Sequence, residues 1–198
     1  MKQPAGKPIR INQSDIIDIS AKLFAERGYW ASNLRDIAEQ LEVTAAAIYY
    51  HFKKKEDILK YIVFTGLDEI YYEVQRAFAS ENMPEENLEA IVRLHLKWCM
   101  KNPHVTKIII EDSRFLQDDD YETSKSKQKD ILRLYKGALK DCLPSHLKSE
   151  RNLSIAAFNI VAVVLGWYRW YRPDDYITCE QALEQCIDFA IRGAGCKS

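Results

Sequence analysis

The stretch Val43–Leu59 reads VTAAAIYYHFKKKEDIL and changes character twice along its length. Three alanines come first, then four ring-bearing residues, then three lysines. A helix that enters the DNA major groove needs small leading side chains, and alanine methyls can lie against thymine methyls. Tyrosine hydroxyls and lysine ammonium groups suit the phosphates beside the groove. This order of residue types therefore predicts a helix that reads DNA.

The residues before this stretch predict the other two helices of a helix-turn-helix domain. A first helix is predicted over 14–27, where apolar residues recur on one face, and Gly28 ends it. A second helix begins at Asn33, which is a good N-cap residue. The tight turn Glu42–Val43 then leads to the third helix, predicted over 44–50. Two short helices joined by a tight turn are typical of DNA-binding proteins.

The rest of the chain also reads as helical, because apolar residues recur at three- and four-residue spacing and glycine and proline are sparse. We predict an all-α chain of about nine helices. Residues 1–55 form the helix-turn-helix domain, and residues 56–198 form a helical ligand-binding and dimerisation domain. Residues 1–10 are predicted to be a flexible basic arm. The later helices are predicted over 54–79, 84–101, 105–116, 121–143, 153–171 and 178–193.

Charge is distributed unevenly between the two predicted domains. Residues 1–55 carry nine basic and six acidic side chains, a net charge of +3. The remaining residues carry 19 basic and 23 acidic side chains, a net charge of −4. A basic head on an acidic body is expected when only the head meets a polyanion.

Five cysteines are scattered along the chain without a Cys-x-x-Cys pair, and histidine is sparse. This pattern predicts no disulfide, no zinc site and no cofactor, and it favours a reducing cytoplasm. The most apolar run, Leu153–Leu165, is shorter than the roughly twenty residues of a membrane span. We therefore predict a helix buried in protein and no membrane partner.

The span Ile16–Leu59 resembles the DNA-binding domain of the TetR/AcrR family of bacterial regulators. The resemblance lies in the segments LFAERGY (23–29), LRDIA (34–38), VTAAAIYYHF (43–52) and KEDIL (55–59). It implies a homodimeric, all-helical repressor whose C-terminal domain binds a small molecule, and we expect this repressor to bind a palindromic DNA operator. The DNA contacts that the resemblance implies are Arg35, Thr44, Ala45, Ala46, Ala47, Tyr49, Tyr50, His51 and Lys55.

Two positions depart from the family pattern. The family often has glycine where this chain has Glu42, and a left-handed backbone there would cost a glutamate about 1 kcal/mol. The family also often has lysine and glycine where this chain has Ala45 and Ala46. Fewer side chains that form hydrogen bonds then face the bases, so direct base readout is expected to be limited.

The densest aromatic cluster, Trp167–Pro173, reads WYRWYRP and allows two interpretations. It could pack the core or a dimer interface, or it could line a ligand pocket. A similar element occurs in the TetR branch that senses acyl-CoA thioesters, and Arg169 or Arg172 could then pair with a phosphate. The predicted pocket residues are His95, Trp98, Cys99, Phe115, Tyr135, Asn159, Trp167, Arg169 and Trp170, with Met100 and Ile109 as further candidates.

The last two helices are predicted to form the dimer interface. Leu153–Leu165 is too apolar to face water, and the last helix adds an apolar stripe of Cys179, Leu183, Cys186, Phe189 and Ala190. Three alternative functions remain open on the sequence. They are a TetR-type repressor that responds to drug-like compounds, a helical carrier of small molecules without a DNA role, and an enzyme. The enzyme is disfavoured because no catalytic order of Ser, His and Asp, no metal-ligand spacing and no Gly-rich loop stands out.

Overall fold

The computed structural model describes residues 11–78, 83–172 and 177–196, and every regular element in these ranges is helical. The predicted all-α chain of about nine helices is confirmed. The predicted basic arm at 1–10 and the predicted helix stop at Pro173 lie outside the described residues. The nine helices are α1 (Gln13–Arg27), α2 (Leu34–Gln40), α3 (Ala45–His51), α4 (Lys55–Phe78), α5 (Pro84–Lys101), α6 (Pro103–Glu111), α7 (Asp118–Cys142), α8 (Glu150–Trp170) and α9 (Cys179–Ala194).

Helices α1 to α3 share a small core that is built from one face of each helix. Ile16, Phe24, Ile37 and Ile48 are fully buried there. Helix α1 ends where Gly28 takes a φ of 88°, as its sequence predicted. Packing of these four side chains sets how α3 is presented at the surface.

The remaining helices form the body around the long helix α4. Helix α4 runs from the helix-turn-helix (α1 to α3) into the body, where it packs against α5, α6 and α7. Helix α5 lies centrally and also contacts α7, α8 and α9, while α6 packs against α1. The body therefore touches the helix-turn-helix through both α4 and α6.

Several predicted helix boundaries differ from the structure, most clearly those of α6 and α7. The helix predicted over 105–116 begins at Pro103, since proline is well tolerated in the first helical turn. It ends at Glu111, and a separate 3₁₀ turn covers Ser113–Phe115. Helix α7 begins at Asp118 rather than at residue 121. Three aspartates fill its first turn, where negative charge stabilises the helix N-terminus.

The prediction that the chain has no disulfide is wrong, because Cys142 and Cys196 are bonded with 5.6 Å between their Cα atoms. Helix α9 ends at Ala194, and the left-handed backbone of the next residue, Gly195, turns Cys196 back toward the end of α7. The two cysteines are 54 residues apart, so their spacing gave no signal. Cys99, Cys179 and Cys186 are free thiols.

Helix α8 is longer than the apolar run in its sequence suggested. It has 21 residues, and by length and composition alone it could cross a membrane. In its most apolar 18-residue stretch, 28% of the residues are buried. A core helix of a soluble protein meets the same criterion. Here α8 packs against α5, α6, α7 and α9.

Candidate functional site

The start of α2 is held by a capping box. The Asn33 side chain accepts hydrogen bonds from the backbone N–H groups of Arg35 and Asp36, at 2.8 and 3.1 Å. The Asp36 carboxylate accepts one from the Asn33 N–H at 2.8 Å. These bonds fix the helix whose first turn carries the exposed Arg35.

The turn between α2 and α3 has a left-handed backbone at Glu42, a conformation that is unfavourable for a glutamate. Glu42 has a φ of 53°, and the Val43 N–H donates to the Ala38 carbonyl at 3.0 Å. A glutamate in this region costs about 1 kcal/mol relative to the favoured conformations. The turn is therefore maintained by the packing of the helices on either side of it.

Helix α3 buries Ile48 completely and turns its other residues outward. Tyr50 is 79% exposed and Tyr49 is 48% exposed, and the ring of Tyr50 lies edge-on to His51. Every predicted DNA contact of this segment is exposed or half-buried, namely Thr44, Ala45, Ala46, Ala47, Tyr49, Tyr50 and His51. The predicted face of small and aromatic residues therefore exists as one continuous surface, and its contact with DNA stays a prediction.

A cationic cleft of about 530 Å³ lies beside this surface, between the start of α2 and the loop before α4. It contains the predicted Arg35, Tyr49 and Lys55 together with three residues that were not predicted as DNA contacts, Asn33, Lys53 and Lys54. Lysine runs are common on solvated surfaces, so only the fold shows that these lysines meet a capped helix start. A cleft with this lining suits a DNA phosphate.

Lys55 was predicted to contact DNA, but its ammonium at the start of α4 is already bound within the protein. Its ammonium donates to the carbonyls of Tyr29 and Ser32, at 2.7 and 2.8 Å. It also lies 4.2 Å from the centre of the Tyr29 ring, and burial lowers its pKa. Lys55 therefore ties α4 to the loop after α1, and a phosphate contact through it stays a prediction.

The body contains an apolar cavity of about 380 Å³ between α4, α5, α6, α7 and α8. Its size falls in the range of small-molecule sites. Three lining residues are polar and none carries a charge at neutral pH. The lining comprises Leu67, Ile70, His95, Ile109, Ile110, Ser113, Gln128, Ile131, Leu132, Phe158, Val161, Ala162 and Leu165.

His95 and Ile109 line this cavity as predicted, and the structure corrects the rest of the predicted lining. Trp98 points to α4, where its indole N–H donates to Glu69 at 3.0 Å. Asn159 lies on the opposite side of α8, in a groove between α8 and α9. The predicted residues that do not line the cavity are Trp98, Cys99, Met100, Phe115, Tyr135, Asn159, Trp167, Arg169 and Trp170.

The aromatic cluster at the end of α8 packs on itself rather than on the cavity. Trp167 is buried and stacks on Tyr171 with 4.3 Å between ring centres, while Trp170 is exposed. Arg169 donates to the Tyr168 hydroxyl at 2.7 Å and to the Glu111 carboxylate at 3.3 Å. These contacts join the ends of α6 and α8 beside the cavity.

His95 is the most unusual polar group of the cavity wall. It is 2% exposed, its Nδ1 lies 2.9 Å from the Tyr135 hydroxyl, and its Nε2 has no hydrogen-bond partner among the described residues. Burial lowers the pKa of His95 to about 4, so the ring is neutral at pH 7. Burial also raises the pKa of Tyr135.

One segment touches both the cavity and the DNA-binding domain. Helix α6 contributes Ile109 to the cavity wall, and the 3₁₀ turn after it contributes Ser113. The Lys107 ammonium on the same helix donates to the Ala25 carbonyl at the end of α1. Phe115 in the 3₁₀ turn stacks on Tyr29, with 5.8 Å between ring centres.

Helices α8 and α9 expose an apolar face. Ile155 and Phe158 on α8 and Phe189 on α9 are all more than half exposed. A mostly apolar groove of about 310 Å³ lies between the two helices and includes Phe189. Large exposed apolar side chains of this kind are found at interaction sites. The predicted stripe on α9 is corrected at Leu183, Cys186 and Ala190, which are buried in the core of their own chain.

Comparison with known proteins identifies both halves of the chain. Residues 16–62 match the family model described as bacterial regulatory proteins, tetR family. Residues 81–194 match the model described as tetracyclin repressor-like, C-terminal domain. Together the two models cover the helix-turn-helix and most of the body.

Individual relatives agree with this match. The HTH-type transcriptional repressor KstR2 of Rhodococcus jostii is 25% identical over 183 residues, which are 91% of this chain and 90% of that protein. A tetR-family regulatory protein from Rhodococcus RHA1 has a similar structure, with a TM-score of 0.85 at 19% identity, over 95% of this chain and 100% of that one. AibR, solved with isovaleryl coenzyme A and operator DNA, gives a TM-score of 0.78 at 23% identity, over 89% and 96%.

Proposed function

Because this chain belongs to the TetR family of bacterial regulatory proteins and is a DNA-binding regulator rather than an enzyme, we propose that it is a repressor that a hydrophobic effector releases from DNA. In this proposal a homodimer binds a palindromic operator with its two α3 helices. Repression works by excluding polymerase from the operator. The effector binds in the apolar cavity of the body.

The observation that carries the proposal is the double contact of the α6 segment. Ile109 and Ser113 face the cavity, while Lys107 and Phe115 contact α1 and the loop after it. An effector that displaces the cavity wall therefore also displaces a support of the DNA-binding domain. The effector shifts the balance between two arrangements only by its different affinity for each of them.

The cavity favours an effector with an uncharged apolar group. The described lining residues include no charged side chain that would compensate a buried charge, and burying an unpaired charge is costly. An acyl-CoA satisfies this requirement if its acyl chain enters and its phosphates stay outside. The crystal structure of AibR with isovaleryl coenzyme A supports this class. Arg169 does not line the cavity, but it pairs with Glu111 at the end of α6, and a phosphate that stays outside would replace that carboxylate.

The exposed face of α8 and α9 supports the homodimer. A second copy that packs its own α8 and α9 against Ile155, Phe158 and Phe189 would form a four-helix contact. Such a pairing holds the two α3 helices at a fixed distance. Half-sites should then lie one or more helical turns apart, at about 34–36 Å per turn.

The test combines a footprint with a release assay. Footprinting on fragments from the protein's own promoter region should reveal a two-fold symmetric site, and octanoyl-CoA should release that site at concentrations where free coenzyme A does not. Sequence-independent binding that salt abolishes would contradict the repressor. Release by a drug-like cation, with no response to any thioester, would favour the alternative of a drug-responsive repressor.

A further inference from the structure

One polar residue in the cavity wall, His95, is placed to recognise the polar part of an effector. His95 projects from α5 into the cavity wall and is closed off from water. Its Nδ1 is paired with Tyr135, but its Nε2 has no partner among the described residues. Buried polar groups are nearly always hydrogen-bonded, so an unpaired buried nitrogen on a residue that lines the cavity requires an explanation.

The proton positions follow from the contacts of the pair. A neutral imidazole carries one N–H, on either Nδ1 or Nε2. The Tyr135 hydroxyl is fully buried, and the described residues offer it no other acceptor than His95 Nδ1. If Tyr135 donates to Nδ1, the imidazole proton is on Nε2, and this N–H is the one donor of the pair that stays unpaired. The opposite tautomer would leave both the hydroxyl proton and the Nε2 lone pair unpaired.

We propose that His95 selects the effector by donating its Nε2–H to a neutral carbonyl oxygen on the group that enters the cavity. Ketones, esters and thioesters share this chemistry. Tyr135 is the positioning residue, since its hydrogen bond holds the proton on Nε2. The role of His95 rests on the proposed function, because it requires that the cavity is the effector site.

The other cavity residues narrow the class of ligand further. Apart from His95, the only polar residues in the described lining are Ser113 and Gln128, both uncharged. A buried carboxylate would find no cation there, whereas a carbonyl oxygen needs one donor only. An apolar body with a single neutral acceptor therefore fits the site.

A pair of neutral probes tests this recognition without coenzyme A. 4-tert-Butylcyclohexanone and tert-butylcyclohexane differ only at the carbonyl group. Binding to the full-length protein is measured by titrated thermal shift. The ketone should bind the wild type at least about tenfold more tightly, because only the ketone satisfies the buried N–H.

Three variants separate recognition from packing. His95→Leu should bind both probes alike, whereas His95→Gln, which keeps a donor, should retain part of the ketone preference. Tyr135→Phe should reduce the preference and populate the second tautomer, which is visible in the ¹⁵N spectrum of the His95 ring. His146→Leu is the matched control, since that histidine is exposed in the 3₁₀ turn after α7.

The outcomes are distinct for the two proposals. Equal binding of both probes to the wild type, binding of neither probe, or a ketone preference that survives His95→Leu would overturn the role of His95. So would an Nδ1–H tautomer in the wild-type ring. If the ketone preference depends on His95 but no thioester releases DNA, the recognition stands and the proposed acyl-CoA response fails.

Discussion

The ring of Phe115 stacks on the ring of Tyr29, with 5.8 Å between their centres and 16° between their planes. Phe115 belongs to the body and follows the cavity-lining Ser113 by two residues. Tyr29 belongs to the DNA-binding domain and is 1% exposed. The stack is therefore a direct contact between the body and the DNA-binding domain.

Phe115→Leu should weaken the effector response while leaving effector-free DNA binding largely intact. Leucine keeps the site apolar but cannot stack on Tyr29. Allosteric coupling amounts to about 1–3 kcal/mol in typical systems, so losing much of it would reduce the release by octanoyl-CoA about fivefold or more. Gel shifts with and without the thioester measure this, and Phe64→Leu on α4 is the aromatic control. An unchanged response would exclude the stack from the coupling.

Lys54 and Lys55 should have different effects when each is replaced by alanine. Lys54→Ala should weaken binding to all DNA sequences alike and reduce the salt slope by about 1, with no loss of stability. Lys55→Ala removes a donor from two carbonyls, so it should also lower the free energy of unfolding by about 1–3 kcal/mol. Salt-dependent DNA titrations and urea unfolding separate the two. A Lys55→Ala protein as stable as the wild type would show that the tether has no structural role.

Phe189→Glu should give a monomer, because it places a charge at the centre of the exposed α8–α9 face. Tyr72→Glu is the matched control, since Tyr72 on α4 is 66% exposed and Phe189 is 68% exposed. Light scattering of both variants measures the mass in solution. Leu183→Glu should instead unfold the protein, since Leu183 is fully buried in its own chain. A dimeric Phe189→Glu protein would place the interface elsewhere.

Stability should fall in mild acid because of His95. Its pKa is about 4 in the folded protein, against a value of 6.5 without burial. The unfolded state therefore binds a proton between these values that the folded state does not. The free energy of unfolding is highest above about pH 6.5 and falls by about 3 kcal/mol in all as the pH decreases toward 4. Urea unfolding at a series of pH values measures the decline, and it should be smaller in His95→Gln.

The Cys142–Cys196 bond should stabilise the oxidised protein. It closes a loop across a separation of 54 residues, and the chain-entropy model gives such a loop about 4 kcal/mol. Cys142→Ser should remove this contribution under oxidising conditions and change little under reduction. Intact mass with and without a reductant reports the bond, since reduction adds two hydrogens. A free-thiol assay that finds five thiols in unreduced protein would contradict the pairing.

Features that depend on neighbouring residues could be read from the sequence. The Asn33 cap and the Gly28 stop follow from local backbone chemistry, and the structure shows both. The left-handed Glu42 does not follow from it, because only the family resemblance pointed to that conformation. The cavity could not be read in this way, because its lining depends on how five helices are rotated about their axes. Trp98 and His95 are three residues apart on α5, yet one bonds to Glu69 and the other faces the cavity.

Gly66 on α4 faces α6 at a distance that leaves no room for a side chain. A Cβ atom at this position would lie 2.8 Å from Val105 Cγ1 and 3.0 Å from Ile109 Cδ1. A saturation library at residue 66, selected for an effector-responsive repressor, should return glycine almost alone. Alanine variants should survive only with a compensating smaller residue at 105 or 109. The contact between these two helices thus limits which residues position 66 of this chain tolerates, independently of which effector the protein binds.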